Sequence, residues 1–218
     1  MKTFGNIFLI WRKGPGTRRI PVGVIKHNKT EGVRFEYLKS NLNMAFENGF
    51  VSYTGFPDVD KTYNENVLEI FSQRLAKSER NDLNKFYEFW EVDPTKKEDN
   101  LYMLAKTQGL IPIDNFEFLA NFYPKKGLVF VSEIAGLGKT KIESGLISNG
   151  DTLSFEKEID NPYDKFAVKL FKDDLFLGYV KLKHSAIFYN TDRKFEIKIH
   201  HLEKNGVIKR AFIRIKVM

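Results

Sequence analysis

The chain has 218 residues, enough for one large or two small domains, and 42% of them are hydrophobic, so a sizeable core can form. It contains no cysteine, which excludes a disulfide framework, a thiol nucleophile and a Cys-based zinc site. The net charge of +7 comes from 35 Lys and Arg against 28 Asp and Glu, a surplus that suits an anionic partner.

In chain order, the first segment opens with a predicted strand, Asn6 to Arg12, followed by a turn at Lys13-Gly14-Pro15-Gly16-Thr17-Arg18-Arg19. Ile20 to His27 is a second strand and Gly32 to Tyr37 a third, with Val33, Phe35 and Tyr37 alternating. Glu65 to Lys77 reads as a helix, because Val67, Ile70, Phe71, Arg74 and Leu75 recur at three-four spacing and Asn64 can cap it. Leu83 to Trp90 is a second helix. Asp99 to Gly109 is a third, stopped by Gly109. Asp114 to Phe122 reads as a short fourth. Tyr123-Pro124-Lys125-Lys126-Gly127 combines Pro, Gly and charge and marks a boundary between domains 1–123 and 127–218.

The second segment is mostly strand: Leu128 to Ile134, Thr152 to Glu158, Phe166 to Lys172, Phe176 to Lys181, Phe195 to Leu202 and Ala211 to Val217. Asn149-Gly150-Asp151 and Lys204-Asn205-Gly206 are turns, and Lys181 to Tyr189 reads as a short helix. Short strands at near-regular spacing with one helix suit a small barrel. The expected class is therefore α+β, an α+β domain followed by a barrel. The charge is divided unevenly. Residues 1–124 carry 17 basic and 16 acidic side chains, a net of +1; residues 125–218 carry 18 and 12, a net of +6. A surplus confined to one domain is the electrostatic footprint of a polyanion partner, although a dispersed positive surface gives the same total.

Within that basic half, Ile159-Asp160-Asn161-Pro162-Tyr163-Asp164-Lys165 interrupts two apolar strands. Asn-Pro starts a turn, since proline fixes its own φ and pushes the residue before it to extended geometry. Two local readings are open. The turn can present Tyr163 and Asp164 to a ligand, or Tyr163 can plug the core while Asp164 caps the backbone. Glu158-Ile159-Asp160-Asn161-Pro162-Tyr163-Asp164-Lys165, then Ala167-Val168, then Gly178-Tyr179-Val180, in this order and spacing, resembles the HIRAN domain, a nucleic-acid end-binding module. The resemblance covers about residues 127–218. It implies an OB-type barrel that binds single-stranded DNA with a preference for a free 3′ end. Tyr163 would stack on a base or sugar, and Asp164 would accept a hydrogen bond from the terminal 3′-hydroxyl. Asn161, Lys165 and Tyr179 fall within the same matched positions. Phe166 stands where the family often has Asn, and Ala135 to Thr140 lacks the aromatic pair common there.

Residues 1–122 bear a fainter resemblance to the N-terminal subdomain of HipA-type toxin kinases, carried by Gly55-Phe56-Pro57, Phe71, Arg74-Leu75, Arg80 to Asp82, Leu101, Leu104 and Gly109. It implies a non-catalytic accessory that docks on a protein partner such as a HipA-like kinase, and hence an alternative function as an antitoxin-like or protein-interaction module.

Catalytic patterns are not found. Gly136-Leu137-Gly138-Lys139-Thr140 resembles a phosphate loop, but Glu133 occupies the place of the required first Gly. Lys139 and Lys141 are instead expected to touch DNA phosphates or to be solvated. His200 and His201 are strand neighbours that point to opposite faces, and no ligand cluster for a metal is recognisable. No cofactor is expected. No apolar run approaches a membrane-spanning length, and Phe8 to Trp11 is followed at once by Arg12 and Lys13 rather than by a secretory pattern. The expectation is a cytoplasmic, non-enzymatic protein.

Overall fold

A computed structural model describes residues 2–75, 82–111 and 114–218. The chain divides into two compact units, Phe4–Asn121 and, together with the residues before Phe4, Phe122–Met218. Among the described residues, no helix is long and apolar enough to cross a membrane.

In the first unit, β1 (Phe4–Trp11), β2 (Ile20–Asn28) and β3 (Gly32–Tyr37) form an antiparallel meander, and β4 (Phe116–Phe122) adds to it in the order β3-β2-β1-β4. Among the described residues, the α-helices α1 (Lys39–Glu47), α2 (Val67–Ser72), α3 (Leu83–Phe89) and α4 (Asn100–Thr107) lie between β3 and β4 in sequence. The core is aromatic. The Phe35 ring lies 4.9 Å from Tyr37, 4.9 Å from Phe56 and 5.2 Å from Phe71. Gly23 makes room for it, because a Cβ there would sit 2.4 Å from the ring.

Three expected helices differ in the structure, and one helix was not expected. Asp114 to Phe122 is a strand over most of its length, β4, in which Phe116, Phe118, Ala120 and Phe122 alternate with their neighbours. The sheet offers β1 as a partner, and Asn115 O accepts from Arg12 N at 3.1 Å, so the alternating segment pairs as a strand instead of forming a short helix. Glu65 to Lys77 is reduced to α2, which starts after Asn66 rather than Asn64 with no cap bond from the Asn66 side chain; Lys77 and Arg80 lie outside the described residues. The helix α1 has no counterpart in the expectations, since Ser40, Asn41 and Asn43 are poor helix formers; burial of Leu42 and Ala45 compensates. In the second unit, Lys181 to Tyr189 is helical only as a 3₁₀ segment, Ser185–Tyr189, because Lys183 adopts the left-handed conformation at φ 69°. By contrast, α4 starts and stops as expected. Asp99 accepts from Tyr102 N, and Gln108 and Gly109 turn left-handed at its end.

Buried Tyr37 gives the first unit an alkaline signature. Its hydroxyl donates to Phe56 O at 2.6 Å and accepts from Tyr53 N at 2.8 Å. Burial pushes its pKa up to about 12. In the unfolded chain a tyrosine titrates near ~10, so the contribution is whole below that pH and is lost as the pH rises toward the folded value, about 2–3 kcal/mol in all. Urea unfolding midpoints followed upward from pH ~9 should fall more steeply for the native chain than for Tyr37→Phe. Equal slopes would mean that Tyr37 does not set the alkaline limit.

The second unit is built on β5 (Val129–Ala135), β6 (Ser154–Lys157), β7 (Val168–Lys172), β8 (Leu175–Val180), β9 (Phe195–Asn205) and β10 (Val207–Val217), with a four-residue helix α5 (Leu137–Thr140) after β5. The sheet runs β6-β7-β8-β5-β10-β9. It curls until its edges meet. Gly150 N donates to Ile199 O at 2.8 Å, Ile199 N to Asp151 O at 2.8 Å and Leu153 N to Ile197 O at 2.9 Å, so the residues leading into β6 pair with β9. The result is an OB-like barrel closed along part of its seam, as the α+β reading expects. Its inner face is apolar: Ile197 and Ile199 of β9 lie opposite Ile215 and Ile213 of β10, which in turn lie opposite Phe130 and Ser132 of β5. The 3₁₀ segment plugs one part of this core, with Phe188 stacked on Phe195 at 4.2 Å.

On the opposite face of β5, Glu133 is buried and pairs with Lys181 at 3.1 Å and with Arg210 at 3.0 Å. Lys181 O in turn accepts from Ser185 N at 3.1 Å, which ties the start of the 3₁₀ segment to the ion-paired residue.

Candidate nucleic-acid interface

The turn between β6 and β7 is held by its own side chains. Asn161 Oδ1 accepts from both Tyr163 N and Asp164 N at 2.9 Å, which fixes the chain on either side of the Pro162 peptide. Asn161 Nδ2 donates to Glu158 Oε2 at 2.6 Å. Asp164 Oδ1 accepts from Phe166 N at 3.0 Å, and Ala167 N returns to Asp164 O at 2.9 Å. Glu158 N donates to Ala167 O, which also accepts from the Tyr189 hydroxyl at 2.7 Å.

The two local readings of this turn are thereby separated residue by residue. Asn161 and Asp164 do cap the backbone. Tyr163 does not plug the core: it is 75% exposed, as is Ile159 on the same turn. Two large apolar side chains are thus held out by a loop whose backbone is tied down. The second oxygen of Asp164 accepts a long bond from Ser185 Oγ, 3.3 Å. A carboxylate has about four acceptor positions, so this one keeps capacity for a further donor.

Cations surround the turn. Lys165 Nζ lies 5.0 Å from the centroid of the Phe166 ring, and Lys157 Nζ lies 5.2 Å from that of Tyr189. Lys183 faces Asp164 from the left-handed position before the 3₁₀ segment. Burial pushes its ammonium below the ordinary lysine range; Lys165 adds to that and Asp164 opposes it.

Tyr179 joins from the barrel wall. It lies opposite Ala135 on β5 and Lys169 on β7, and its hydroxyl hydrogen-bonds to Glu158. Burial holds the Tyr179 phenol above its ordinary pKa, with Glu158 adding to the effect. Its place depends on Gly178, which has φ 139° and where a Cβ would sit 2.4 Å from Ala135 O. A Cβ on Gly136 would lie 3.9 Å from the Tyr179 ring, so the loop that carries Lys139 and Lys141 leaves β5 beside that ring. Lys139 and Lys141 are exposed on and just after α5, and Lys141 is left-handed at φ 48°.

Asn161, Tyr163, Asp164 and Lys165 therefore share one turn and Tyr179 is bonded to it, whereas Lys139 and Lys141 stand on a separate loop. Reasoning from the chain alone missed Lys169, Lys183 and Ser185. Lys169 had a signal, since it alternates with buried Val168 and Leu170 and must face outward. Lys183 and Ser185 had none.

No family model and no curated protein matches this chain. Among solved structures, the crystal structure of the HIRAN domain of human HLTF aligns over 41% of this chain and 74% of that one, at 19% identity and a TM-score of 0.33. The chain is similar to that domain over this part; the barrel and the site described above stand on their own geometry.

Proposed function

We propose that the barrel unit is a non-enzymatic module that binds single-stranded DNA and takes the 3′ end at the turn from Glu158 to Phe166. The observation that carries this reading is Tyr163, held 75% exposed on a side-chain-bonded turn beside an Asp164 oxygen with acceptor capacity. An exposed aromatic on a preorganised turn is a stacking platform for a base, and the surrounding lysines suit a phosphate backbone. Asp164 discriminates at the end of the strand, because a carboxylate welcomes a hydroxyl and repels a phosphate. Lys139 and Lys141 serve as phosphate contacts outside the end pocket.

The test compares labelled strands with a free and a phosphorylated 3′ end. Tyr163→Ala should weaken both by roughly 1–3 kcal/mol, the usual cost of a lost base–aromatic stack. Asp164→Asn keeps an acceptor for Phe166 N and removes the charge. It should erase the preference for the free end while costing about 1.5 kcal/mol on that strand. Variants that bind both strands as the native chain does would reduce Tyr163 and Asp164 to turn residues.

The first unit has an observation of its own that favours a protein-adapter role. Met44, Phe46 and Val51, at 37%, 41% and 77% exposure, place apolar side chains at its surface within eight residues of sequence. Co-purification of a HipA-type kinase chain supports that role; recovery of nucleic acid alone contradicts it.

A further inference from the structure

One carboxylate gathers the polar donors of the barrel wall. Glu158 pairs with Lys169 Nζ at 2.8 Å, accepts from Asn161 Nδ2 at 2.6 Å and is hydrogen-bonded by the Tyr179 hydroxyl. Lys169 and Tyr179 are cross-strand partners on β7 and β8, so their convergence is fixed by the sheet register rather than by a chance rotamer. The Glu158 and Lys169 side chains are 26% and 27% exposed, so the cluster opens to solvent. An ammonium, a phenol and an amide NH₂ aimed at one oxyanion are the donor set that a phosphodiester takes from a protein. Glu158 belongs to the turn that carries Tyr163, so a strand stacked on Tyr163 brings its phosphates close to this cluster.

We propose that Lys169, Tyr179 and Asn161 form a phosphodiester subsite, and that Glu158 occupies it as a built-in competitor that the nucleic-acid backbone displaces. The inference rests on the single-strand-binding reading above and adds a phosphate position, its donors and a brake on affinity. A purely architectural Glu158 predicts the opposite sign. If its bonds only shape the turn, weakening them can only weaken binding.

The variant that decides is Glu158→Gln in the full chain, titrated with a labelled oligothymidylate over a series of salt concentrations. Gln keeps the shape and one acceptor and releases the Lys169 charge. Binding should tighten about fivefold, and the slope of log affinity against log salt should steepen by about 0.7, the value for one added single-strand phosphate contact. Glu158→Gln with Lys169→Gln should lose that gain. Asp174→Asn makes the same charge change in the turn joining β7 to β8 and should gain less. Unchanged or weaker binding by Glu158→Gln overturns the inference, as does a gain that survives loss of Lys169 or is matched by Asp174→Asn. The two claims fail distinguishably. A native chain that binds while Glu158→Gln gains nothing sinks the inference alone. Absence of binding by both chains sinks the single-strand reading and the inference with it. Binding by Glu158→Gln alone supports the masked subsite.

Discussion

Arg74→Met should cost the first unit about 3–5 kcal/mol, the range for removing one partner of a buried pair. The Arg74 side chain is 5% exposed, and its guanidinium is bonded on every side. It pairs bidentately with the Asp114 carboxylate, donates from Nε to Gly109 O at 2.9 Å and from Nη2 to Phe116 O at 3.1 Å. It also lies 5.9 Å from the centroid of the Tyr53 ring. One side chain thereby joins the end of α2, the end of α4 and the entry to β4. Methionine replaces the stem but none of the donors, so Gly109 O and Phe116 O lose partners they cannot recover from a thioether. Asp114 is 30% exposed and recovers part of its hydration, which places the cost toward the lower end of that range. A chemical unfolding series that finds Arg74→Met within about 0.5 kcal/mol of the native chain would contradict this.

Glu133→Ala should damage the barrel by about as much, ~3–5 kcal/mol, because it strips the carboxylate from beside Lys181, which is 0% exposed. Arg210 also loses a bond, but it is 32% exposed and keeps Glu203 at 3.2 Å. The reverse change, Lys181→Met, should cost much less. Glu133 then still has Arg210, and methionine fills the space of the lysine stem. The asymmetry is the expected result: two deletions of one ion pair, one severe and one mild. Equal losses would mean that the pair, and not the buried ammonium, sets the cost. Because Lys181 O holds Ser185 N, Glu133→Ala should also loosen the segment that presents Lys183 and Ser185 to Asp164.

Much of the barrel was legible in the sequence for a physical reason. β7 and most of β9 alternate, and three of its turns carry Asn-Gly or Asn-Pro, so there local chemistry and global fold agree. The turn from Glu158 to Phe166 was legible for the same reason, since Asn161 and Asp164 make the backbone bonds that their side chains favour locally. What was not legible depends on partners distant in sequence. Phe116 to Phe122 extends because β1 is there to receive it, and its Phe residues at 116, 118 and 122 keep the period of a strand. α1 forms although Asn41 and Asn43 disfavour it, because Leu42 and Ala45 find a core. Glu158 reads as the end of a strand. Only the register of β7 with β8 sets Lys169 beside Tyr179 and so makes Glu158 the centre of a donor cluster. Lys183 comes to Asp164 through a left-handed residue that lysine rarely adopts, and no pattern in the chain announces it.

We propose that the barrel unit reads a single strand through a basic surface and an exposed tyrosine. Fluorescence anisotropy of a labelled oligothymidylate with the full chain, from low to near-physiological salt, tests it most directly. Saturable binding is expected that weakens with salt at a slope of about 0.7 for each phosphate contacted, together with a clear loss in Tyr163→Ala. Absence of binding at low salt, or binding that neither salt nor Tyr163→Ala alters, would contradict it.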